Sequence, residues 1–424
     1  MFHLFTHGEK LRPIVEEVEK LIEQRHREIA KLVDYNQLKV LRSFQARQVN
    51  EFHFAPSTGY GYDDVGRATL EAIYADVFGG EAALVRPQIV SGTHAIAISL
   101  FGLLRPGDEL MYITGKPYDT LEEVIGVRGH GQGSLKEYGI GYQAIPLTAE
   151  GEVDFDAVAR ALTPATKVIG IQRSRGYADR PSFPIAKLEE MISFVKGLNP
   201  KLIVFVDNCY GEFTEEREPL QAGADIMAGS LIKNPGGGIV KTGGYIVGRE
   251  ELVRLASYRM AAPGIGAEGG ASLYSLLEMY QGFFLAPHVV GEALKGAIFS
   301  SALLERLGFR TNPLWNDPRT DLIQSVAFGS AERLIAFCQG IQKASPVDSH
   351  VLPQPSDMPG YKDPVIMAAG TFIQGASIEF TADGPIRPPY LGFVQGGLTY
   401  SHVKVGILTA LDELLVKGLL DLPE

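Results

Sequence analysis

The chain has 424 residues, 45% of them apolar and 21% charged, which is ordinary for a globular protein and too long for one core of usual size. Its 39 basic and 50 acidic residues give a net charge of −11 without a basic stripe, which excludes nucleic acid as the main partner. An apolar run of about 18 residues is also missing, and this excludes a membrane-spanning segment.

The N-terminal residues and the cysteines bear on location. The first segment lacks the basic start and the longer apolar core of a secretory signal. Cys209 and Cys338 form neither a disulfide framework nor a C-x-x-C pair. We therefore expect a cytoplasmic protein that acts on a small molecule.

The N-terminal part predicts a helical arm over residues 1–60. Apolar residues recur at spacings of three and four among charges from Leu11 to Val33, as in a long amphipathic helix. Residues 50–66, NEFHFAPSTGYGYDDVG, form a loop rich in glycine and tyrosine, and RATLEAIYADVFG then begins a second helix. A loop of this length usually has a function.

From Ala83 to Gly248, short β-rich runs alternate with helical runs. The β-rich runs include ELMYITG, KVIGIQ, LIVFVDN and GYIVG. This alternation is typical of βαβ units, in which helices cover both faces of a mostly parallel sheet. We predict a large α/β domain over residues 61–290.

The remaining chain, residues 291–424, predicts a smaller α+β domain. Helical runs such as AERLIAFCQGIQKA and SHVKVGILTALDELLVKG stand among β-rich runs such as DLIQSVAFG and YLGFVQG. The proline-rich part from Ser345 to Pro364 is expected to be a surface loop.

Ligands of open α/β sheets bind beyond the carboxyl ends of strands, so the residues at those ends are the first candidates. Asp207 ends the apolar run KLIVFVDN, where a buried carboxylate needs a cationic partner. Lys233 follows DIMAGSLI, the next predicted strand. The two residues indicate either a structural ion pair or a pyridoxal phosphate site, in which a lysine binds the cofactor aldehyde and an aspartate pairs with the pyridine nitrogen. Lys241 is the weaker candidate because it lacks a serine three positions earlier.

Two further stretches suit the same cofactor. Ser91, Gly92 and Thr93 lie between a strand and a helix in QIVSGTHAIAISL, and helix N-termini attract phosphate, although Ser-Gly-Thr is also a common helix cap. Ser230 adds a hydroxyl to the phosphate or is a simple turn residue. Tyr118 in TGKPYDTLEEV is either an aromatic that lies on the cofactor ring or a packing residue.

Two other kinds of site are not predicted. The histidines are scattered and no H-x-x-x-H motif occurs, so we expect no metal site. The segment GIGAEGG has the G-x-G-x-x-G spacing, but the preceding residues are helical in pattern, which favours an active-site loop over a dinucleotide site.

The order Ser91-Gly92-Thr93, Tyr118, Asp207, Ser230, Lys233 resembles the fold-type I pyridoxal-phosphate enzymes of the cystathionine and methionine lyase group. The closer resemblance is to the aluminium-resistance proteins, also called the methionine gamma-lyase family. It rests on segments such as GYGYDDVGRATLE, VSGTHAI, QRSRGYADRPS, VDNCYGEF, GSLIKNPGGGI and PIRPPYLGFVQGGLTY, and it extends from about residue 10 to residue 420.

The resemblance implies a role for each candidate. Lys233 would be the Schiff-base lysine and general base, and Asp207 would keep the pyridine nitrogen protonated. Tyr118 would stack on the ring. The phosphate would be held by Ser91, Gly92, Thr93 and Ser230.

The resemblance also implies a homodimer or homotetramer with shared active sites. In related lyases, a tyrosine and an arginine of a neighbouring subunit reach the phosphate. Tyr60 or Tyr62 matches the tyrosine, whereas the arginine expected two residues later is absent and Arg67 is the nearest one. Ile232 stands where the lyases commonly have a threonine.

An amino-acid substrate needs a cation for its carboxylate, usually an arginine. Arg387 in GPIRPPY is the first candidate, with a solvated surface arginine as the alternative interpretation. Arg173 and Arg175 are rivals for the carboxylate or for the ring oxygen of the cofactor.

The predicted function is a pyridoxal-phosphate-dependent lyase that cleaves a carbon–sulfur bond of an amino acid. The reaction is β- or γ-elimination, like that of methionine gamma-lyase or cystathionine beta-lyase. Two alternatives remain: an aminotransferase or decarboxylase on the same scaffold, and a pyridoxal-phosphate-binding protein with little turnover. The sequence contains no cluster that would bind aluminium.

Overall fold

The computed structural model of the chain describes residues 1–358 and 362–422. It has two compact units, one of Met1–Tyr35 with Ala286–Glu424 and one of Asn36–Leu285. In chain order the helices are α1 (Gly8–Ala46), α2 (Val65–Phe78), α3 (Gly92–Leu103), α4 (Asp119–Ile125), α5 (Phe155–Ala161), α6 (Ile185–Leu198), α7 (Glu250–Met260), α8 (Leu276–Arg306), α9 (Ala331–Lys343) and α10 (Tyr400–Val416). The strands are β1 (Ala82–Arg86), β2 (Glu109–Tyr112), β3 (Gly141–Ala144), β4 (Thr166–Gln172), β5 (Ile203–Asp207), β6 (Ile226–Ser230), β7 (Gly244–Gly248), β8 (Arg310–Asn312), β9 (Ile323–Ala327), β10 (Val365–Ala368), β11 (Thr381–Pro385) and β12 (Leu391–Gln395).

The unit Asn36–Leu285 is built on a seven-stranded sheet in the order β1-β7-β6-β5-β4-β2-β3. Strands β2 to β6 run parallel, and β7 pairs antiparallel with β1 and β6. Buried strands in such a sheet need apolar side chains on both faces, and Val204, Phe205 and Val206 of β5 are fully buried. The mostly parallel α/β sheet predicted from the sequence is therefore confirmed.

The other unit holds a five-stranded antiparallel sheet in the order β10-β11-β12-β9-β8. Helix α9 packs against α10 and against β10 and β11. The predicted smaller α+β part is thus also confirmed. The Ser345–Pro364 segment contains no named helix or strand in its described residues, as expected for a loop.

The first 35 residues pack with the C-terminal part of the chain. The backbone N–H groups of Thr6 and His7 donate to the Asp412 carboxylate, and Lys404 pairs with Glu19. The apolar face of α1 is buried there, as its periodicity required. The predicted domains, namely an arm over residues 1–60 and domains over 61–290 and 291–424, stay predictions. The residues of the predicted arm are divided between the two units, at Tyr35 and Asn36.

Within the described residues, we find no helix with both the length and the apolar character needed to span a bilayer.

Candidate active site

Three neighbouring parallel strands end in polar residues. Gln172 ends β4, Asp207 ends β5 and Ser230 ends β6, and Gln172 lies directly opposite Asp207 in the register. Carboxyl ends of parallel strands meet at one edge of the sheet, which is where α/β proteins bind ligands. The fold therefore places these side chains at a candidate active site.

A cavity of about 180 Å³ lies at this edge. Seven residues proposed from the sequence line it, namely Ser91, Gly92, Thr93, Tyr118, Asp207, Ser230 and Lys233. Lys241 is not among the lining residues; its amine is exposed and pairs with Glu278. Of the two lysines, Lys233 is thus the one placed with Asp207.

Asp207 is almost completely buried, and the backbone N–H of Cys209 donates to its Oδ1 at 3.1 Å. Burial raises the pKa of the Asp207 carboxyl, while the positive charge of Lys233 and the Cys209 N–H act in the opposite direction. A carboxylate held in this way calls for a cation or a protonated nitrogen in the cavity.

Lys233 lies just beyond β6, and its side chain is partly buried in the cavity. Burial disfavours its charge, but the surrounding Cys209, Tyr210, Asp207 and Glu212 outweigh that effect and raise the pKa of the amine. Its Nζ lies 4.1 Å from the centroid of the Tyr210 ring. The surroundings of Lys233 therefore favour the ammonium form over the neutral amine.

The N-terminus of α3 forms one wall of the cavity. Ser91 caps the helix by accepting from the His94 N–H at 3.0 Å. A Cβ on Gly92 would lie 3.2 Å from the sulfur of Cys209 and 3.3 Å from Cβ of Ser230, so glycine keeps this end of the helix open. Open N–H groups and the dipole at such a helix end attract anions.

Two threonine hydroxyls meet beside this helix end. Thr93 Oγ1 lies 2.9 Å from Thr120 Oγ1, and both residues line the cavity. Thr120 belongs to α4, which begins directly after Tyr118. The hydroxyl pair adds hydrogen-bonding capacity at the same helix end.

Tyr118 lines the cavity and packs closely against Gly176. Gly176 has a φ of 57°, and a Cβ there would lie 2.9 Å from the Tyr118 ring. The Tyr177 ring is 6.2 Å from the Tyr118 ring. The aromatic side chain is therefore held at the cavity wall by close packing.

Tyr60 and Tyr62 stand on a loop formed by residues 57–64, here called the tyrosine loop. Their rings stack at 5.4 Å and are 78% and 54% exposed, respectively. Neither residue lines the cavity of its own chain. The stacked pair is a surface feature of this protomer.

Buried Arg67 holds the tyrosine loop against residues 264–274, here called the glycine segment, and buried Arg86 supports that segment. Arg67 donates to the carbonyls of Gly61, Gly270 and Glu268 at 2.7, 2.5 and 3.0 Å. Arg86 donates to the carbonyl of Gly269 at 2.8 Å. GIGAEGG is thus part of this support, and the guanidinium of Arg67 is used inside the chain.

The arginines proposed for the substrate are in three different settings. Arg173 is fully buried and donates to Asn208 Oδ1, the Gly211 carbonyl and Glu215 at 2.9, 3.0 and 2.7 Å. These bonds fix the turn after β5 and engage the Arg173 guanidinium inside the chain; a role toward substrate or cofactor stays a prediction.

Arg175 is buried, and its backbone N–H donates to Ser182 at 3.0 Å; it does not line the cavity. Arg387 is half exposed and donates to Asp363 at 2.9 Å within the other unit. A substrate role for either residue stays a prediction.

Sequence reasoning missed several residues of the cavity. Gln172 is buried and its Nε2 donates to the Ser174 carbonyl, whereas its Oε1 has no hydrogen-bond partner among the described residues. Its place at the end of KVIGIQ was a usable signal, because the rule that found Asp207 applies equally to that strand. The sequence contained no such signal for Tyr210 and Thr120. The position of each side chain depends on how the chain turns after the preceding strand.

The chain is similar to several known proteins. The methionine gamma-lyase family model matches residues 11–415. A Bacillus subtilis protein, uncharacterized protein YnbB, is 65% identical over 421 residues, which are 99% of this chain and 100% of that one. The L-methionine gamma-lyase of Pseudomonas putida is 32% identical over 202 residues, 46% of this chain and 44% of that enzyme.

A solved structure extends the likeness to the whole fold. The protein is from Listeria monocytogenes and is named as a candidate cystathionine beta-lyase involved in aluminum resistance. It is 63% identical with a TM-score of 0.94, over 95% of this chain and 99% of that chain. The fold-type I architecture expected from the sequence is confirmed.

Proposed function

This chain belongs to the methionine gamma-lyase family, and we propose that it is a pyridoxal-phosphate-dependent lyase that cleaves a carbon–sulfur bond of an amino acid. The proposal depends on one observation: Asp207, which ends β5, and Lys233, which follows the adjacent parallel strand β6, line the same cavity. A carboxylate for a ring nitrogen and an amine for an aldehyde are the two groups that this cofactor requires.

The cavity fits the cofactor in two further respects. Gly92 leaves the α3 N-terminus open where a Cβ would crowd Cys209 and Ser230, as a phosphate cradle requires. The orphaned Oε1 of Gln172, opposite Asp207 in the sheet, is a buried acceptor that needs a donor. Both features are explained by a polar ring ligand with a phosphate.

Each residue then has a task toward the cofactor. Lys233 would bind the aldehyde, Asp207 the pyridine nitrogen and Tyr118 the ring face. The phosphate would be held by Ser91, Gly92, Thr93 and Ser230, together with Tyr60 or Tyr62 of a neighbouring subunit. When bound, pyridoxal phosphate supplies an electron sink for the carbanion formed at the substrate's α-carbon.

The chain itself supplies charge, proton transfer and exclusion of water. Asp207 would keep the ring nitrogen protonated, because a buried carboxylate needs a positive partner. Lys233 Nζ would carry the proton between the substrate carbons. The apolar side chains of Ile96, Leu121 and Ile232 line the cavity and keep bulk water from that nitrogen.

The substrate and the assembly follow from the same proposal. The substrate is a sulfur-containing amino acid such as methionine or cystathionine, with its carboxylate held by Arg387 or Arg175. The protein forms a homodimer or homotetramer whose subunits share active sites. It acts in the cytoplasm. The exposed Tyr60–Tyr62 pair supports this assembly, because the two side chains gain little burial within their own protomer.

Borohydride reduction of the protein loaded with pyridoxal phosphate tests the cofactor site. We expect the reduced label on Lys233 alone, the same result for a Lys241→Arg variant, and no label for Lys233→Arg. A label on Lys241, or none on the wild-type chain, would contradict the proposal.

Product analysis tests the reaction. Incubation with methionine and with cystathionine is expected to release a thiol together with a keto acid and ammonia. Transfer of the amino group or release of carbon dioxide would instead identify an aminotransferase or a decarboxylase. A labelled protein without any of these products would be a cofactor-binding protein with little turnover.

A further inference from the structure

Tyr210 has a backbone conformation that side chains other than glycine rarely adopt. Its φ is 72°, in the left-handed region, in the turn that follows β5. For a residue with a bulky side chain this conformation persists only where the surroundings hold it. The residues around this turn therefore hold the Tyr210 side chain in its position.

Asn234 holds the turn. Its Nδ2 donates to the Tyr210 carbonyl and to the Glu212 carbonyl, both at 3.0 Å, and the side chain is fully buried. Asn234 directly follows Lys233, so one amide joins the turn after β5 to the turn after β6. The positions of Tyr210 and Lys233 are thereby fixed relative to each other.

The result of this arrangement is an aromatic face beside the lysine amine. Lys233 Nζ is 4.1 Å from the centroid of the Tyr210 ring, well within the distance of a cation–π contact. Within the described residues, Lys233 forms neither an ion pair nor a hydrogen bond through this amine. The ammonium thus rests on a ring face, which stabilises the charged form more than the neutral amine.

We infer that Tyr210 is a positioning residue for Lys233. The ring face holds Nζ at one place in the cavity, and Asn234 holds Tyr210 in the conformation that makes the contact possible. The inference rests on the proposed function. A fixed position of Nζ in the cofactor-free chain is useful only if this amine later accepts and donates protons. Tyr210 itself does not need to touch the substrate.

The test is pH-dependent acylation of the full-length chain without cofactor, with the label on each lysine measured by peptide mass spectrometry. Below the pKa of Lys233, loss of the cation–π contact increases the reactive neutral fraction. Tyr210→Leu and Tyr210→Met, which fill the space without a ring face, are expected to label Lys233 about two- to tenfold faster. Tyr210→Phe keeps the ring face and is expected to match the wild type.

Lys241 is the internal control, because it is exposed, pairs with Glu278 and lies outside the cavity. Its rate is expected to be equal in all variants. Wild-type rates of Lys233 labelling in Tyr210→Leu and Tyr210→Met, or a Tyr210→Phe variant that behaves like them, would overturn the inference.

Asn234→Ala examines the support of the ring separately. It is expected to label Lys233 faster, as Tyr210→Leu does; wild-type labelling in Asn234→Ala would remove Asn234 from the inference and leave the ring contact. None of these measurements needs the cofactor. A failure of borohydride to label Lys233 would therefore refute the proposed function, whereas a failure here would refute only the role of Tyr210.

Discussion

Asp207 and Lys233 lie in a cavity at the strand ends, whereas Tyr60 and Tyr62 stand exposed on a loop of the same unit. The first pair is positioned by the sheet register and by the two turns that Asn234 joins. The second pair is positioned by the buried Arg67, which holds three carbonyls of the loops. Both pairs are rigidly supported, but only the first has surroundings within its own chain that explain its chemistry.

The two regions differ in what stabilises them within one protomer. A buried carboxylate near an ammonium has an energetic reason to exist in one protomer. Two exposed stacked tyrosines held by a buried guanidinium gain little burial in the protomer, which fits the proposal that another subunit meets them. The cavity is accordingly interpreted as the site within the chain, and the tyrosine loop as its contribution to a neighbour.

Removal of the Asp207 charge is the change with the largest expected effect after loss of Lys233. Asp207→Asn keeps the shape and the Cys209 N–H contact but not the negative charge at the ring nitrogen. We expect cofactor affinity to fall about 10- to 100-fold, the worth of a hydrogen bond to a charged group. Spectroscopic titration of cofactor-free protein with pyridoxal phosphate measures this loss.

The control for this variant is Asp363→Asn, which changes an acid of the other unit that pairs with Arg387. Its cofactor affinity is expected to equal that of the wild type. Equal cofactor affinity of Asp207→Asn and the wild type would mean that Asp207 has no role toward the cofactor ring. The cavity would then not differ from the tyrosine loop in having a chemical role within its own chain.

The cavity was predictable because strand ends can be located in a sequence. The apolar run before Asp207 and the strand-to-helix junction at Ser91-Gly92-Thr93 each indicate a position in the fold, and sheet topology brings them together. Gln172 obeys the same rule. Tyr210 does not, because its place depends on a left-handed backbone and on a hydrogen bond from Asn234.

The arginines show the limit of sequence reasoning most clearly. Arg67, Arg173 and Arg387 have the same side chain, and only tertiary contacts separate two buried arginines that bind backbone carbonyls from an exposed one. The grouping of the first 35 residues with the C-terminal part was equally hidden, because an amphipathic pattern indicates a buried face and not what covers it.

The tyrosine loop is tested by a variant with Tyr60→Phe and Tyr62→Phe. Only two exposed hydroxyl groups are lost, so stability is expected to be unchanged. Cofactor affinity is expected to fall about tenfold or less, since each hydroxyl contributes a modest hydrogen bond. An unchanged affinity would remove the loop from the phosphate site.

Co-expression of this variant with Lys233→Ala decides whether the loop acts across subunits. In a hybrid dimer, one site combines an intact Lys233 with intact tyrosines of the partner. With random pairing, about a quarter of all sites would be wild type in composition. Recovery of high-affinity sites in differently tagged, purified hybrids is the expected result, and no recovery would place the tyrosines in their own chain's site.

The smallest effect on catalysis is expected from Glu212, which lies behind the cavity. Burial raises the pKa of Glu212 to about 8, against the opposing hydrogen bond from Tyr245 at 2.6 Å and with repulsion from Glu218 adding to the rise. Because this pKa in the folded chain is above the ordinary 4.5, the folded chain retains a proton that the unfolded chain releases between these two values. The stability that this group contributes is thus complete below pH 4.5 and is lost as the pH rises to about 8.

Glu212→Gln removes this titration and keeps the hydrogen bond from Tyr245. Relative to the wild type, the variant is expected to gain stability as the pH rises, by at most about 1.4 kcal/mol per pH unit in that range. Urea unfolding at pH 5, 6, 7 and 8 measures the difference. Tyr62→Phe is the matched control, because an exposed residue of the tyrosine loop bears no buried charge and its difference from the wild type is expected to be the same at every pH. A stability difference between Glu212→Gln and the wild type that is independent of pH would show that Glu212 is already ionised over this range. Burial would then not raise the pKa of this acid, and the cavity region would not differ from the exposed tyrosine loop in this respect.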